Sequence, residues 1–362
     1  MLDWSADFLG LGVESAPLGR GHFGELGTLI RFGAERSPER TTAHDAGLAA
    51  SGERLAGAVD SSGVPGSADS GAGGSAGRAL LYIHGWSDYF FNLELAHFAA
   101  ARGYRFYALD LPEHGRSLAS GEMPGFVGSA EHYLESVGAA VDAVRRETGV
   151  LPVLMGHSTG GLAAALYAQR SPECLAAVVL SSPWLVAHGG AAAGRMLEAA
   201  LRPASMRWPR QRLLLPSRGY FWRAVAKEAG GEWELREDMR PRNAFPIRVG
   251  WLHGVLEAQR SLRGGPRLEL PVLLLASTTS DVGLIWRERM RERDAVLAIA
   301  PMRRAAAELC RNLDEALVEG GLHDVLLSSP TVRNEAYGRL GSWLEGVEAQ
   351  TVAQVRAAGQ ES

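Results

Sequence analysis

The sequence predicts an α/β fold with a mostly parallel central sheet, flanked by helices and with a helical cap inserted between strands. From residue 79 onward, short apolar runs alternate with stretches of helical spacing. Runs that are apolar at every position and separated by helices are typical of parallel strands covered on both faces of a sheet. The first four runs are ALLYIH (79–84), RFYALDL (105–111), LPVLMG (151–156) and AAVVLSS (176–182).

The alternation stops after the fourth run and returns later in the chain. The intervening residues are rich in Arg, Trp and Leu, and their pattern favours helices broken by prolines. Strands resume at PVLLLAS (271–277) and near ALVEGG (316–321), and an amphipathic helix follows from about residue 331. A helical insertion between two strands of one sheet indicates a cap over the edge of that sheet.

Composition divides the chain into six segments. One of them, which contains SSGVPGSADSGAGGSAG, is rich in Gly and Ser and has few large apolar side chains. The segment buries too little apolar surface to offset the conformational entropy lost on ordering, so it is predicted to be disordered. The segments are an N-terminal part of the core (1–39) with a β-hairpin around GELGTLIRF (24–32), the disordered insertion (40–78), the first part of the core (79–183), the cap (184–265), the second part of the core (266–350) and a C-terminal tail (351–362).

Composition and charge predict a globular cytoplasmic protein. The 362 residues are 46% hydrophobic and 22% charged, and the net charge of −4 gives no electrostatic reason to expect nucleic acid. The two cysteines, Cys174 and Cys310, lie far apart in sequence and fit a reducing compartment. Asp3 and Asp7 near the start argue against a signal peptide. No apolar run reaches the roughly 20 residues that a membrane span needs, so no stable membrane insertion is expected.

The motif LMGHSTGG (154–161) places a serine between glycines, directly after a predicted strand and before a predicted helix. In a strand–turn–helix of the form G-x-S-x-G, a side chain at Gly156 or Gly160 would clash, and the turn raises the Ser158 hydroxyl above the sheet. The N–H of Thr159 then lies at a helix N-terminus, where it can stabilise developing negative charge. Ser158 is therefore the candidate nucleophile.

A serine nucleophile needs a base and an acid that orients the base. His323, in GGLHDVLLS (320–328), is the only histidine after the last predicted strand, and it is the candidate base. Asp281 lies closest to the strand PVLLLAS, and Asp294 follows 13 residues later. A helix, a strand and their loops need about 28 residues between acid and base. The interval to His323 is 29 residues from Asp294 and 42 from Asp281, so Asp294 is favoured.

Other acids near the predicted base stay open at this point. Asp324 is adjacent to His323 and is interpreted as a loop-capping residue, while Glu319 and Asp314 are minor alternatives for the acid.

A second donor to the oxyanion is expected in HGWSDYFFN (84–92), the loop after the first parallel strand. Gly85 allows a sharp turn close to the pocket, and the N–H of Trp86 would point at the substrate carbonyl. Gly85, His157 and Tyr89 are the candidate substrate contacts, although the rings of Trp86 and Tyr89 could equally be packing residues.

Four motifs in this order, LYIHGWSDYFFN, FYALDLPEHGRS, MGHSTGG and GGLHDVLLS, resemble the α/β-hydrolase superfamily. The chain is most similar to its monoacylglycerol lipase/lysophospholipase branch, often labelled serine aminopeptidase-like. The resemblance implies Ser158 as nucleophile, His323 as base and the Trp86 and Thr159 amides as oxyanion hole. The segment RDAVLAIA, with Asp294, resembles the family's acid turn. Neither a metal nor an organic cofactor is implied.

The cap decides the substrate, and its Leu, Trp and Phe residues either line an acyl tunnel or form the cap's own core. We expect a hydrolase of lipid esters, such as a monoacylglycerol or a lysophospholipid. A proline-type aminopeptidase would need an acidic group for the substrate amine, and a non-catalytic binding protein on the same fold is the third possibility; the oligomeric state stays open. The amine-site candidates are Glu232, Glu234 and Glu237. A cluster near Trp208 could meet an anionic head group or be solvated: Arg202, Arg207, Arg210 and Arg212.

Overall fold

The computed structural model describes residues 2–33, 77–118, 123–214 and 219–360. The predicted disordered insertion, residues 40–78, lies outside the described residues except for its last two. Of these, Arg78 begins a strand, so the first strand of the core starts one residue earlier than the apolar run suggested.

A mixed sheet forms the centre of the described part of the chain. Its nine strands have the spatial order β1-β2-β3-β5-β4-β6-β7-β8-β9. The six strands from β5 to β9 in that order pair in parallel, and β1, β2 and β3 are antiparallel to their neighbours. This architecture confirms the predicted fold class. The strands are β1 (Ser5–Ala6), β2 (Val13–Pro17), β3 (Thr28–Phe32), β4 (Arg78–Ile83), β5 (Tyr104–Asp110), β6 (Val153–His157), β7 (Ala177–Ser181), β8 (Leu268–Ser277) and β9 (Cys310–Val318).

Helices cover both faces of the sheet. The second helix shows how sequence sets their ends: the Ser129 side chain caps its start by accepting the His132 N–H, and Gly149 ends it with φ 75°. The helices are α1 (Leu93–Ala101), α2 (Ala130–Thr148), α3 (Thr159–Arg170), α4 (Gly190–Arg207), α5 (Tyr220–Val225), α6 (Val249–Gly264), α7 (Ile299–Leu309) and α8 (Pro330–Gln360).

The central parallel strands β4, β6 and β7 are largely apolar because each face of the sheet packs against its own hydrophobic core. In β4, Leu81 and Ile83 belong to the core shared with α2, α3, α6 and α7. The alternate residues Leu80 and Tyr82 belong to the core shared with α1 and α8. Successive side chains of a strand point to opposite faces, so neither face can be polar here.

The N-terminal strands extend the sheet beyond β5. Strand β2 pairs with β3, which in turn runs antiparallel to β5. The predicted hairpin was placed around residues 24–32, but the structure pairs Thr28–Phe32 with Val13–Pro17, and the residues between them form the connection.

Between β7 and β8 the described residues form α4, α5 and α6, within the segment predicted as a cap. Helix α6 joins this region to the core, because Trp251 is buried and its Nε1 donates to the Tyr133 hydroxyl of α2 at 3.0 Å. Gln259 Nε2 also donates to the Trp184 carbonyl oxygen, at 2.8 Å. The cap thus joins the core through one long, buried helix, α6, which packs against α2, α3 and α7.

The turn from β6 into α3 brings backbone against backbone. A Cβ on Gly160 would overlap the carbonyl oxygens of His84 and Ile83, at the end of the adjacent strand β4. A Cβ on Gly156 would overlap the backbone of Gly160 itself. The glycines on either side of Ser158 are therefore required by the close approach of β4, β6 and α3.

We expect Gly160→Ala to lower the free energy of unfolding by at least about 2 kcal/mol, since the new methyl group meets rigid backbone. Gly338→Ala is the matched control, because a Cβ there, on α8, meets nothing within 4 Å. Removing a helical glycine should instead stabilise the protein by about 0.5–1 kcal/mol. Urea unfolding measures both changes, and equal behaviour of the two variants would contradict the close-approach argument.

Candidate active site

Ser158 occupies a strained turn at the first position before α3. Its backbone has φ 53° and ψ −114°, in a region that side-chain-bearing residues rarely adopt. The turn is held because the Ser158 N–H donates to the Ser181 carbonyl oxygen at the end of β7, at 2.9 Å. The hydroxyl consequently points away from the sheet at the carboxyl ends of the parallel strands.

His323 lies between Ser158 and Asp294. Its Nε2 is 3.0 Å from Ser158 Oγ, and its Nδ1 is 2.8 Å from Asp294 Oδ2. His323 and Asp294 are both buried, at 2% and 0% exposure. The structure therefore brings together the three side chains that the sequence placed on three separate loops.

Asp294 reaches this position through backbone pairing with the end of β8. Its N–H donates to the Thr279 carbonyl oxygen at 3.0 Å, and its own carbonyl oxygen accepts the Asp281 N–H at 2.8 Å. The second carboxylate oxygen, Oδ1, accepts the N–H groups of Val296 and Leu297 at 2.8 and 2.7 Å. These bonds fix the carboxylate and leave Oδ2 for His323.

Asp281, the other candidate acid, forms ion pairs with two arginines. Its two carboxylate oxygens pair with Arg287 and Arg289 at 2.9 and 2.5 Å. The hydrogen bond from Arg289 holds the pKa of Asp281 below its ordinary value. Asp281 thus closes the base of the loop 281–293 and makes no hydrogen bond to His323.

The other acidic residues near His323 also have other partners or positions. Asp324 caps the short helix that follows, because its Oδ1 accepts the Leu326 N–H at 3.0 Å. Asp314 accepts Trp343 Nε1 at 2.9 Å, and Glu319 is exposed at the end of β9.

The two predicted oxyanion donors belong to loops that meet at Ser158. Among the described residues, no backbone hydrogen bond uses the N–H of Trp86 or of Thr159. A Cβ on Gly85 would lie 3.1 Å from Ser158 Cβ and 3.0 Å from His157 Nδ1, so the loop passes directly beside the serine. The glycine at position 85 permits this approach.

A buried ion-pair network that sequence reasoning missed holds this loop in place. Asp110, at the end of β5, accepts the Phe90 N–H at 2.8 Å and Arg116 Nη1 at 2.8 Å. Arg116 also binds Asp7 through two hydrogen bonds, of 2.6 and 2.7 Å, and donates to the Phe90 carbonyl oxygen. The network anchors the far end of the Trp86 loop to the sheet. The motif FYALDLPEHGRS, which contains Asp110 and Arg116, was the available signal.

His84 anchors the near end of the same loop. Its Nε2 accepts the Leu111 N–H at 3.0 Å, and its Nδ1 is 2.6 Å from the Gly85 carbonyl oxygen. Burial lowers the pKa of His84 to about 4, so the ring is neutral at pH 7. A neutral ring can donate from Nδ1 and accept at Nε2, which is what these two contacts require.

Of the three predicted substrate contacts, Gly85 and His157 line the cavity in front of Ser158 and Tyr89 does not. The His157 ring lies 4.8 Å from the His323 ring. Burial, assisted by the neighbouring His323, holds the pKa of His157 far below its ordinary value, so it stays neutral. Tyr89 does not line the cavity: it is buried, and its hydroxyl accepts the Arg236 N–H of the cap at 3.1 Å. The packing role weighed for Tyr89 fits this position.

The cavity itself has a volume of about 520 Å³ and extends from Ser158 and His323 to the underside of the cap. The Trp86 ring stacks on the Trp251 ring of α6, with centroids 4.5 Å apart. The aromatic residues of the wall are Trp86, Trp184, Tyr220, Phe221, Trp222 and Trp251.

A family model described as serine aminopeptidase, S33, matches residues 74–329, which include Ser158, Asp294, His323 and the loop that carries Trp86. The chain belongs to this family. It is thus a member of the α/β-hydrolase superfamily, as the four motifs implied.

Two curated proteins are similar to parts of this S33 family member. The dihydrolipoyllysine-residue acetyltransferase component of the acetoin cleaving system of Cupriavidus necator is 28% identical over 227 residues, which is 59% of this chain and 52% of that protein. A serine hydrolase-like protein of Danio rerio is 32% identical over 108 residues, 30% of this chain and 32% of that protein. The chain spans about half or less of the length of these relatives.

Solved structures share the fold. A monoacylglycerol lipase of Paleococcus ferrophilus has a TM-score of 0.53 at 21% identity, over 75% of this chain and 96% of that one. A soluble variant of the monoglyceride lipase of Saccharomyces cerevisiae, in complex with a substrate analog, has a TM-score of 0.56 at 15% identity, over 76% and 88%. In the described part of this family member, no helix is long and apolar enough to cross a membrane.

We expect Arg116→Met to lower the free energy of unfolding of this S33 family member by about 3–5 kcal/mol, because it leaves Asp7 and Asp110 as buried, unpaired carboxylates. Arg20→Met is the matched control: its partner is Glu25, both side chains are largely exposed, and the loss should stay below about 1 kcal/mol. Chemical denaturation of both variants measures the difference. A small loss in Arg116→Met would show that the network does not anchor the loop.

Proposed function

We propose that this chain is a serine hydrolase of carboxylic esters, with a lipid ester such as a monoacylglycerol or a lysophospholipid as substrate. The observation that carries the proposal is the hydrogen-bonded series Ser158–His323–Asp294 at the floor of an aromatic cavity. Membership of a hydrolase family supports the reaction class, and the fold shared with monoacylglycerol lipases agrees with it.

The geometry accounts for each step of an acyl transfer. Ser158 Oγ attacks the ester carbonyl carbon while His323 Nε2 takes its proton, and Asp294 holds the ring and stabilises the imidazolium. The N–H groups of Trp86 and Thr159 would receive the oxyanion. Collapse expels the alcohol, which takes the proton from His323, and leaves an acyl group on Ser158. Water then attacks this acyl-enzyme with His323 again as base, which releases the acid and restores the serine.

The lining of the cavity supports an ester with an apolar acyl chain. Each methylene group that leaves water contributes about 0.8 kcal/mol, so an aromatic wall favours binding of an acyl chain over water. The ring of Phe221 contacts the His323 ring edge-on, with centroids 5.3 Å apart, which places apolar surface directly beside the reacting groups.

The positions of Glu232, Glu234 and Glu237 in the cap do not support the aminopeptidase hypothesis. None of them lines the cavity among the described residues. Each is already paired with a basic residue: Glu232 with Arg333, Glu234 with Lys227 and Glu237 with Arg242. An amine-binding site built from these carboxylates would have to break those pairs.

Hydrolysis of p-nitrophenyl esters of graded chain length tests the proposal. We expect medium chains to be turned over, and kcat to fall by about 10³- to 10⁴-fold in Ser158→Ala, His323→Ala and Asp294→Asn, because each removes a member of one functional unit.

Asp281→Asn is the matched control, because Asp281 lies at the other end of the same loop and makes no contact with His323. It should keep kcat within about threefold, because Asp294 is held by backbone hydrogen bonds to Thr279 and Asp281 that do not use the Asp281 carboxylate. Loss of activity only in Asp281→Asn would transfer the acid role to Asp281. Release of N-terminal residues from peptides without ester hydrolysis would favour the aminopeptidase, and no turnover of either substrate class would favour a binding protein.

A further inference from the structure

Arg240 is a buried cation in the wall of the cavity that opens onto Ser158. It precedes α6 in the cap, is only 3% exposed, and lines the same cavity as Ser158 and His323. The steps of the proposed acyl transfer do not use this residue.

The hydrogen-bond donors of Arg240 are incompletely used. Nη1 lies 3.2 Å from Asp88 Oδ1, and this pair neutralises the charge of the guanidinium. The contact with Asp88 is an ion pair without hydrogen-bond geometry: among the described residues, neither Nη1 nor Nη2 has a hydrogen-bond partner, although both atoms are buried. A buried polar group without a partner is costly, so a charged one at the edge of a ligand cavity indicates a partner supplied by the ligand.

The guanidinium is held in a fixed orientation. It lies over the Phe221 ring, with Cζ 4.7 Å from the centroid, and it also faces the ring of Phe91 at 5.6 Å. Phe221 in turn contacts His323 edge-on, so a single aromatic ring separates the guanidinium from the base. A flat cation fixed by packing on one side presents its fork of N–H groups in the geometry that carboxylates and phosphates match.

The charges along the cavity wall favour an anion over a cation. Among the described residues that line it, Asp88 is the one carboxylate. Of the two lining guanidinium groups, that of Arg242 is exposed and paired with Glu228 and Glu237, so Arg240 is the buried cation of the wall. Asp88 is already occupied, because its Oδ1 accepts the Tyr89 N–H at 2.9 Å as well as facing Arg240. Burial also raises the pKa of Asp88 to about 6, so its negative charge is easily lost beside a second anion.

We infer that Arg240 binds an anionic group of the substrate, a carboxylate or a phosphate, that lies a short spacer away from the ester attacked by Ser158. This inference rests on the proposed ester hydrolysis and narrows its substrates to esters that carry a negative charge at one end. Arg240 then determines specificity, because it lies beyond Phe221 and touches none of the reacting atoms.

Matched pairs of neutral and anionic esters test the inference. Mono-p-nitrophenyl glutarate differs from p-nitrophenyl pentanoate by a terminal carboxylate in place of a methyl group, and 1-butyrylglycerol 3-phosphate differs from monobutyrylglycerol by its phosphate. We expect the wild type to have a higher kcat/KM for the anionic member of at least one pair. The pair in which the anionic ester has the higher kcat/KM shows whether the anion is a carboxylate on the acyl side or a phosphate on the alcohol side.

Arg240→Met should lower the anionic-to-neutral ratio of kcat/KM at least tenfold while the neutral ester is still hydrolysed. Arg242→Met is the matched control, since Arg242 lines the same cavity but is exposed and pairs with Glu228 and Glu237. It should keep the ratio. If Arg240→Met does not fold because Asp88 is left unpaired, Arg240→Met/Asp88→Asn removes both charges and should show the same loss.

A binding measurement separates this inference from the proposed function. Calorimetry on Ser158→Ala protein should detect binding of monomethyl glutarate, of glycerol 3-phosphate or of both. In Ser158→Ala/Arg240→Met protein, the Kd for that ligand should be at least tenfold higher. The inference is overturned if the neutral and anionic esters of each pair are hydrolysed with equal kcat/KM and Arg240→Met does not change their ratio. The proposed ester hydrolysis would still hold in that case. If no ester is hydrolysed, the calorimetry alone tests the inference. The inference is then overturned if neither ligand binds Ser158→Ala protein, or if adding Arg240→Met leaves the Kd unchanged.

Discussion

The backbones of β4, β6 and α3 meet so closely around Ser158 that no side chain fits at Gly156 or Gly160. This contact forces the serine into its strained turn and raises the hydroxyl at the carboxyl ends of the strands. It also brings the loop after β4 beside the serine, so that the N–H groups of Trp86 and Thr159 belong to one site. The strain is sustained because large apolar cores on both faces of the sheet fix the three elements.

The position of Asp294, the proposed acid, depends on a different constraint. Asp294 lies 14 residues beyond Ser280 in the chain, yet the two form a parallel β-bridge at the end of β8. The intervening loop is closed at its base by this pairing and by the ion pairs of Asp281 with Arg287 and Arg289. Backbone pairing therefore returns the carboxylate to the sheet edge and keeps it opposite His323, whatever the length of the loop.

Sequence reasoning was strongest where local chemistry decides the structure. Apolar runs predicted the central parallel strands because both faces of the sheet are buried there, whereas β9 is largely polar and begins six residues before the predicted run 316–321. The interval of 29 residues favoured Asp294 because α7 and β9 fill most of it. It was weakest for contacts between distant segments. Arg116 and Asp7 are 109 residues apart, and the cap loop that carries Arg240 gives no periodic signal of its burial. Tyr89 lies outside the cavity, and its hydroxyl accepts the Arg236 N–H of the cap, a long-range contact that no local pattern indicates.

Covalent labelling of the serine tests the account most directly, because it asks whether Ser158 is activated by its neighbours. The protein is treated with an alkyl fluorophosphonate, and the labelled peptide is mapped by mass spectrometry in the wild type and in His323→Ala. The account predicts one phosphonyl group on Ser158 in the wild type and at least a hundredfold slower labelling in His323→Ala. Absence of label on Ser158 in folded wild-type protein, or equal rates in the two proteins, would contradict it.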